Sequence, residues 1–168
     1  MNFEFTEEQI MIQQSARDYA QRELMKDVLQ RDADCVFPAD HIKKLAELGF
    51  MGMLVSTKYG GSGMDTVSYV LAIEEISKVD ASVGVIMSVN NSLVAYELEE
   101  FGTEEQKQKY LIPLATGEKL GAFLLSEPEA GSDATSQRTK AIDMGDHYLM
   151  NGTKNWITNG GSANTYIV

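Results

Sequence analysis

The sequence changes its hydrophobic period near Lys119, and this change constrains the fold more than any other feature. Before it, apolar residues recur every three or four positions, as they do on the buried face of a helix. After it, short apolar runs alternate with glycine-containing turn signals, which is typical of β-strands. The sequence therefore predicts an α+β chain, with a helical domain over residues 1–117 and a β domain over residues 118–168.

Helix-start signals divide the first part into separate helices. Thr6 with Gln9, and Thr103 with Gln106, each have the Ser/Thr-x-x-Gln spacing of a capping box. Asp65 precedes another apolar run and is a good N-cap residue. Short loops between several capped helices are typical of a helical bundle, so a bundle is predicted here.

Proline and glycine predict where other helices begin and end. One helix is predicted over "PADHIKKLAELG", with Pro38 near its start and Gly49 just past its end. Another is predicted over residues 82–101, and Pro113 is expected to kink or end the last helix of the bundle.

Three strands are predicted in the second part, over "KLGAFLLS", "TKAIDM" and "HYLMNGTKNWIT". Gly145-Asp146 and Asn151-Gly152 are interpreted as their turns, because Asn-Gly is the strongest short hairpin signal. The sequence stops in "ANTYIV", within an apolar strand pattern. Because an unpaired apolar edge invites aggregation, we expect the sequence to be part of a longer chain.

Composition argues against several kinds of partner. The formal net charge is −11, from 25 acidic and 14 basic residues, so neither nucleic acid nor an anionic membrane surface is an expected partner. No apolar run approaches the roughly 20 residues of a membrane span, and no signal peptide is recognisable. Cys35 is a lone cysteine, which fits a reducing compartment, so we expect a cytoplasmic protein, or one of the mitochondrial matrix if the source is eukaryotic. His41 and His147 lack metal-ligand spacing, so no metal site is expected.

The stretch "FLLSEPEAGSDA" poses the first functional question. An apolar strand stops at Ser126, Pro128 fixes a bend, and Gly131 lets the backbone approach a neighbour closely. Ser132 and Thr135 add uncharged hydroxyl groups. By residue type alone, an ordinary strand-to-loop turn is the favoured interpretation, and a backbone cradle for a ligand is the alternative.

The stretch "NGTKNWITNGG" contains the only tryptophan of the sequence. If this stretch is a strand, its period of two places Trp156 and Thr158 on one face. A flat aromatic ring beside a hydroxyl group suits a flat heterocycle with hydrogen-bonding edges. Taken alone, a tryptophan such as Trp156 belongs more often to a core than to a cofactor site.

Taken together, these two stretches resemble the flavin-binding segment of the acyl-CoA dehydrogenases. "EEISK", "IMSVNNSL" and "FGTEEQKQKYLIPLATGEKLGAF" are also similar to the N-terminal domain of that family. "SVNNSL" is the chief pointer to its short-chain, butyryl-CoA-type members. The resemblance implies a helical bundle followed by the first part of an antiparallel β-barrel-like domain, with the family's C-terminal helical domain absent.

The resemblance implies that FAD is the cofactor and assigns roles to the first stretch. The segment from Phe123 to Ser132 would run along the isoalloxazine ring and the start of the pyrophosphate arm. Backbone groups near Leu125 and Ser126 would bind the pyrimidine end of the ring. Ser126 stands where threonine is commoner in the family, which keeps a hydroxyl group. Ser132 would lie between the cofactor and the thioester arm of the substrate.

The resemblance assigns the remaining roles to residues of the stretch "NGTKNWITNGG". By resemblance, Trp156 would lie against the ring system, Ile157 would contact the cofactor, and the Thr158 hydroxyl would point at flavin N5. The implied reaction is the α,β-dehydrogenation of a short-chain acyl-CoA thioester, as in fatty-acid β-oxidation. No carboxylate in the sequence aligns with the family's catalytic base, so a glutamate beyond residue 168 is expected to serve.

The resemblance also implies partners and leaves alternatives open. An electron-transfer flavoprotein would accept the electrons, and a complete protein would be a homotetramer. Some related proteins are instead oxidases or flavin monooxygenases. A third interpretation is a non-catalytic helical interaction module that binds a partner such as the electron-transfer flavoprotein.

Overall fold

A computed structural model describes residues 4–168, so the first three residues of the predicted helical domain lie outside it. Helical structure runs from Glu7 to Ala115. The α-helices are α1 (Glu7–Arg22), α2 (Val28–Ala33), α3 (Ala39–Glu47), α4 (Thr66–Ser77), α5 (Ala81–Ser88), α6 (Tyr96–Phe101), α7 (Glu104–Gln106) and α8 (Ile112–Ala115). Short 3-10 turns lie at Leu24–Lys26, Phe50–Gly52 and Thr57–Tyr59.

The predicted caps are confirmed. The Thr6 hydroxyl accepts a hydrogen bond from the Gln9 N–H at 3.2 Å, and the Gln9 side chain accepts one from the Thr6 N–H at 3.0 Å. Thr103 and Gln106 form the same reciprocal pair. The Asp65 carboxylate caps α4 by accepting a hydrogen bond from the Ser68 N–H at 2.7 Å. These contacts satisfy N–H groups that a helix start leaves without partners.

The helix predicted over residues 82–101 contains a π-helical turn, Val89–Ala95, between α5 and α6. Asn90 and Asn91 lie in this turn and are fully buried. The Asn91 side chain accepts from the Met53 N–H at 2.7 Å and donates to the Phe50 carbonyl at 2.9 Å. Such fully paired side chains fix a buried loop without leaving polar groups unsatisfied.

Pro113 has a smaller effect than predicted. A second π-helical turn, Lys107–Leu111, precedes α8, so Pro113 occupies the first turn of α8. In that position its missing N–H costs no helical hydrogen bond. The helix therefore continues past Pro113 and ends at Ala115.

The helices enclose three apolar clusters. The largest joins α1, α3, α4 and α5, and its fully buried members include Leu24, Leu45, Met51, Ile76 and Met87. A second cluster surrounds Leu111, and a third contains Val89, Val94 and Leu114. None of the helices described within residues 4–168 combines the length and apolar character that a bilayer crossing needs.

Four short strands follow: β1 (Gly121–Phe123), β2 (Lys140–Asp143), β3 (Tyr148–Asn151) and β4 (Thr165–Ile167). β2 and β3 form an antiparallel hairpin with Gly145 at φ 98°, which confirms the predicted turn at Gly145-Asp146. β1 pairs with β4 in parallel. The mixed helix-and-sheet class is thus correct.

The first part of an antiparallel β-barrel-like domain, which the resemblance implies, is not confirmed. Residues 4–168 contain two separate two-stranded sheets and no closed sheet. β4 runs parallel to β1 because the chain leaves through a loop and a hairpin and returns in the same direction. An apolar alternation predicts a strand but not the direction of its partner, so this pairing was not readable from the sequence.

The predicted strand over "HYLMNGTKNWIT" is wrong in its second half. β3 ends at Asn151, and no second hairpin turn forms at Asn151-Gly152 within the described residues. Trp156 has φ 59° and Asn159 has φ 67°, both in the left-handed region. Two such residues cannot belong to a regular strand, so Trp156 and Thr158 do not share a strand face.

β1 joins the sheet to the helices through a hydrogen bond and close packing. The Gly121 N–H donates to the Asn90 side chain at 2.9 Å, and a side chain at Gly121 would collide with Val94. Phe123 and Ile167 pack against the third apolar cluster. The π-helical turn therefore anchors the first strand, and with it the loop that follows.

Candidate functional site

The two stretches singled out in the sequence meet in the structure. We call residues 124–133 the Ser-Glu-Pro loop and residues 152–162 the tryptophan loop. The Ser126 carbonyl accepts a hydrogen bond from the Asn155 N–H at 2.9 Å. The Leu125 carbonyl accepts from the Lys154 ammonium at 3.1 Å and from the Gln137 amide at 2.7 Å. Segments almost thirty residues apart thus form one unit.

Glu127 is the centre of this unit. Its buried carboxylate accepts from the Lys154 ammonium at 2.8 Å, the Arg138 N–H at 2.6 Å and the Thr139 N–H at 3.1 Å. The hydrogen bond from Lys154, followed by those from Thr139 and Arg138, lowers the pKa of Glu127 to about 2. The ionised carboxylate therefore joins the Ser-Glu-Pro loop, the start of β2 and the tryptophan loop.

Sequence reasoning gave Glu127 no role. A partial signal was present, because the first stretch contains two glutamates, Glu127 and Glu129, and the second contains a single lysine, Lys154. A buried carboxylate needs such a partner, since an unpaired buried charge is costly. The sequence does not say which of the two glutamates pairs with Lys154.

Trp156 stands out from the surface of the chain. Its side chain is 94% exposed, and its φ of 59° is unusual for a bulky residue. The alternative interpretation of Trp156 as a core residue is wrong for this chain. An exposed indole held by a strained backbone presents a flat apolar surface that residues 4–168 leave largely uncovered.

Ile157 and Thr158 line an open cleft of about 580 Å³. Its opposite wall is the first part of α5, with Val85 and Ile86, and Phe37 closes one side. The next residue, the buried Asn159, donates from its side chain to the Gly121 carbonyl at 2.9 Å and ties this end of the tryptophan loop to β1.

Hydroxyl groups and backbone N–H groups remain available in both loops. Within residues 4–168, no hydrogen bond involves the hydroxyls of Ser126, Ser132 or Thr158. The N–H groups of Leu125 and Ser126 likewise donate to no group of the described chain. The Leu125 carbonyl, in contrast, is occupied twice. The groups that the two loops leave available to a ligand are therefore mainly hydrogen-bond donors.

The predicted residues are only partly brought together. One hydrogen bond, from the Asn155 N–H to the Ser126 carbonyl, ties Ser126 to the tryptophan loop, whereas Ser132 is exposed and has no bond to that loop within residues 4–168. Phe123 packs its side chain on the helical cluster, and Leu125 is 41% exposed. No group of three or more His, Cys, Asp or Glu side chains suited to a metal ion occurs in the described residues.

Comparison with known proteins places these features in a family. The N-terminal domain model of the acyl-CoA dehydrogenases matches residues 6–118, and the middle domain model matches residues 122–168. The chain is 48% identical over all 168 residues to a short-chain specific acyl-CoA dehydrogenase of Clostridium acetobutylicum. It is 44% identical over 165 residues to the mitochondrial short-chain specific enzyme of Rattus norvegicus.

Solved structures give the same result. Butyryl-CoA dehydrogenase from Megasphaera elsdenii matches all of this chain with a TM-score of 0.95 at 44% identity. A chain in a structure of the electron-transferring flavoprotein of Acidaminococcus fermentans matches with a TM-score of 0.97 at 48% identity. This chain spans 44% of the Clostridium protein and 40% of the rat protein, and 45% and 44% of the two structural matches.

Proposed function

The chain belongs to the acyl-CoA dehydrogenase family, and we propose on this basis that it forms the N-terminal and flavin-side part of an FAD-dependent dehydrogenase of short-chain acyl-CoA thioesters. One observation carries the proposal. The two loops that resemble the family's flavin-binding segment are tied into a single unit by Glu127 and Lys154. We also propose that the helical domain ends and the β domain begins near residues 117–118.

The residues of this unit fit FAD. The oxidised isoalloxazine ring is flat and neutral, and its edge carries several hydrogen-bond acceptors. The unpaired N–H groups of Leu125 and Ser126 and the hydroxyls of Ser126 and Thr158 are donors of the required kind. The exposed indole of Trp156 supplies a flat surface for stacking. The Glu127 charge is balanced by Lys154, so it does not repel an anionic pyrophosphate strongly.

We assign holding and orienting roles to the chain's own residues. Leu125, Ser126, Trp156, Ile157 and Thr158 would bind the ring, and Ser132 would lie on the substrate side. FAD, when bound, would supply the hydride acceptor for an α,β-dehydrogenation. Fixed donors such as the Thr158 hydroxyl stabilise charge that develops on a bound ring, because they need no reorganisation during the reaction.

Glu127 and Asp133 of the Ser-Glu-Pro loop are poor candidates for the base that removes the α-proton. Hydrogen bonds lower the pKa of Glu127 to about 2, and those from Ser136 and Thr135 lower the pKa of Asp133. A general base works best with a pKa near the operating pH, so a carboxylate with a lowered pKa is a weaker base. We infer that the catalytic carboxylate comes from outside this chain.

Relatives support the choice of substrate and electron acceptor. The Clostridium and rat proteins are described as short-chain specific, and the Megasphaera protein acts on butyryl-CoA by name. We propose a short-chain acyl-CoA substrate for the complete protein. We also propose an electron-transfer flavoprotein as its partner, since a chain in the Acidaminococcus flavoprotein structure matches this one.

An FAD titration tests the proposal. The purified chain should quench or shift flavin fluorescence on binding, and Thr158→Val and Trp156→Ala should each weaken that binding. A longer protein that contains this chain should hold FAD tightly and lose its flavin absorbance when butyryl-CoA is added without oxygen. A chain that binds no FAD, within a longer protein that also carries none, would favour the non-catalytic module.

A further inference from the structure

Asn-Gly pairs occur twice in the β part of the chain, at Asn151-Gly152 and at Asn159-Gly160. An asparagine followed by glycine can react with its own backbone, because glycine lacks a side chain that would shield the amide nitrogen or restrict its approach. The two pairs differ in their exposure and in their hydrogen bonding.

At the first pair, both reacting groups are free. Asn151 is exposed, and no hydrogen bond to its side-chain amide is present within residues 4–168. The Gly152 N–H likewise donates to no described residue. Asn151 is also the last residue of β3, paired with Lys140 at the open end of a hairpin whose residues are all exposed. Fraying of this terminal pair gives the backbone the rotation that the reaction needs.

At the second pair, the asparagine side chain and the glycine N–H both form hydrogen bonds within the folded chain. Asn159 is only 8% exposed, and its side-chain amide donates to the Gly121 carbonyl at 2.9 Å. The Gly160 N–H donates to the Ile157 carbonyl at 3.0 Å. Neither the electrophile nor the nucleophile can move without breaking a hydrogen bond of the folded chain.

We propose that Asn151 is a site of spontaneous deamidation in the folded protein and that Asn159 is protected from it. The Gly152 nitrogen loses its proton and attacks the side-chain carbonyl carbon of Asn151, which forms a C–N bond. The C–N bond to the side-chain nitrogen then breaks, and ammonia leaves with the proton it gains. Water opens the resulting succinimide at either carbonyl, which gives aspartate or isoaspartate. No oxidant or other reactant is needed.

The isoaspartate product would disturb the unit described above. It inserts one carbon into the main chain next to Gly152, where a side chain would already collide with Thr139. The Thr139 N–H in turn donates to the Glu127 carboxylate. Deamidation at Asn151 should therefore loosen the contact between the two loops as the protein ages.

Peptide mapping of the purified 168-residue chain provides the test. Trypsin cleaves after Lys140 and Lys154, so the two Asn-Gly pairs fall in separate peptides, 141–154 and 155–168. The chain is incubated in warm, mildly alkaline buffer made with isotopically labelled water, once folded and once in denaturant. An isoaspartyl methyltransferase then detects the isoaspartate product in each peptide.

The folded chain should accumulate labelled aspartate and isoaspartate in the first peptide and not in the second. In denaturant both peptides should react, because the protection of Asn159 is lost. Asn151→Gln should abolish the signal of the first peptide, since its longer side chain cannot form the five-membered ring. An unmodified Asn151 in the folded chain, or equal reaction of both peptides when folded, would overturn the proposal.

Discussion

At the scale of single residues, the ionised state of Glu127 helps to hold the two loops together. Its pKa is lowered to about 2 from an ordinary 4.5, first by the hydrogen bond from Lys154. A group whose pKa is lower in the folded state contributes stability above its unfolded pKa, and the contribution is lost as the pH falls through the folded value. We expect the contribution to be complete above pH 4.5 and to vanish as the pH approaches 2.

Chemical unfolding of the wild type and of Glu127→Gln at several pH values checks this prediction. The difference in unfolding free energy should be constant near neutrality and shrink below pH 4.5. Glu129→Gln is a matched control in the same loop, because it removes only an exposed ion pair with Arg138. A difference for Glu127→Gln that does not depend on pH would show that its carboxylate charge does not hold the loops.

At Trp156, a contribution to the stability of the fold can be separated from a contribution to FAD binding. Its side chain is 94% exposed, and substitutions at such positions change stability by only about ±0.5 kcal/mol. Trp156→Ala should therefore leave the unfolding free energy of the FAD-free chain almost unchanged, while it weakens FAD binding through lost stacking.

Fluorescence titration with FAD and denaturant unfolding measure these two effects on the same protein. Trp156→Phe serves as the control, since it keeps an aromatic face and should retain more of the binding than alanine does. A large loss of stability in Trp156→Ala without a change in FAD binding would assign the residue to the fold.

At the scale of elements, the π-helical turn Val89–Ala95 connects the helices to the sheet. The Asn90 side chain donates to the Met51 carbonyl at 2.8 Å and the Leu114 carbonyl at 3.2 Å, and accepts from the Gly121 N–H at 2.9 Å. The stretch "SVNNSL", which pointed to short-chain enzymes, therefore contains two asparagines whose side chains serve the fold.

Asn90→Leu should be strongly destabilising, because it removes the side-chain partner of the Met51 carbonyl and of the Gly121 N–H. The Leu114 carbonyl keeps a hydrogen bond from the Gly117 N–H. Each unsatisfied buried group costs about 1–3 kcal/mol, so we expect a loss of roughly 2 kcal/mol or more. Urea unfolding measures the loss, and Ser92→Ala is the control, since it removes one hydrogen bond to Ser88 in the same turn. A loss for Asn90→Leu no larger than that of the control would contradict the anchoring role of Asn90.

Some elements were predictable because their signals are local. Thr6 with Gln9 and Gly145 with Asp146 each determine a few neighbouring residues, and both predictions are confirmed. The parallel pairing of β1 with β4 and the positive φ of Trp156 depend on distant parts of the chain, and both were missed. The sequence identified the two loops of the candidate site, but not the Glu127 contact that joins them, because that contact spans separate motifs.

At the scale of the whole molecule, the helical part meets the sheet at β1. The Asn90 side chain accepts from the Gly121 N–H, and Phe123 packs on the helices. The Asn159 side chain donates to the Gly121 carbonyl and ties the tryptophan loop to the same strand. The hairpin β2–β3 is exposed along its length, with apolar side chains such as Ile142 and Tyr148 at the surface. The candidate site is therefore attached to the helices through β1, and it borders a hairpin whose residues are exposed to solvent.

The 168-residue chain alone should show no appreciable dehydrogenation of butyryl-CoA, because loss of the β-hydrogen as hydride needs removal of the α-proton. The pKa values of Glu127 and Asp133 are lowered by their hydrogen bonds. General-base catalysis is typically worth roughly 10²–10⁴-fold, and it would be missing here.

The assay combines the purified chain with FAD, butyryl-CoA and an artificial electron acceptor, and a full-length relative tested in parallel shows that the assay works. An FAD titration of the same sample separates the two possible causes of inactivity. If FAD binds and turnover is absent, the base is what the chain lacks. If turnover approaches that of the relative, an acid within the chain serves as the base, and Glu129→Gln would be the first variant to locate it, because Glu129 is an exposed carboxylate of the Ser-Glu-Pro loop that does not join the two loops.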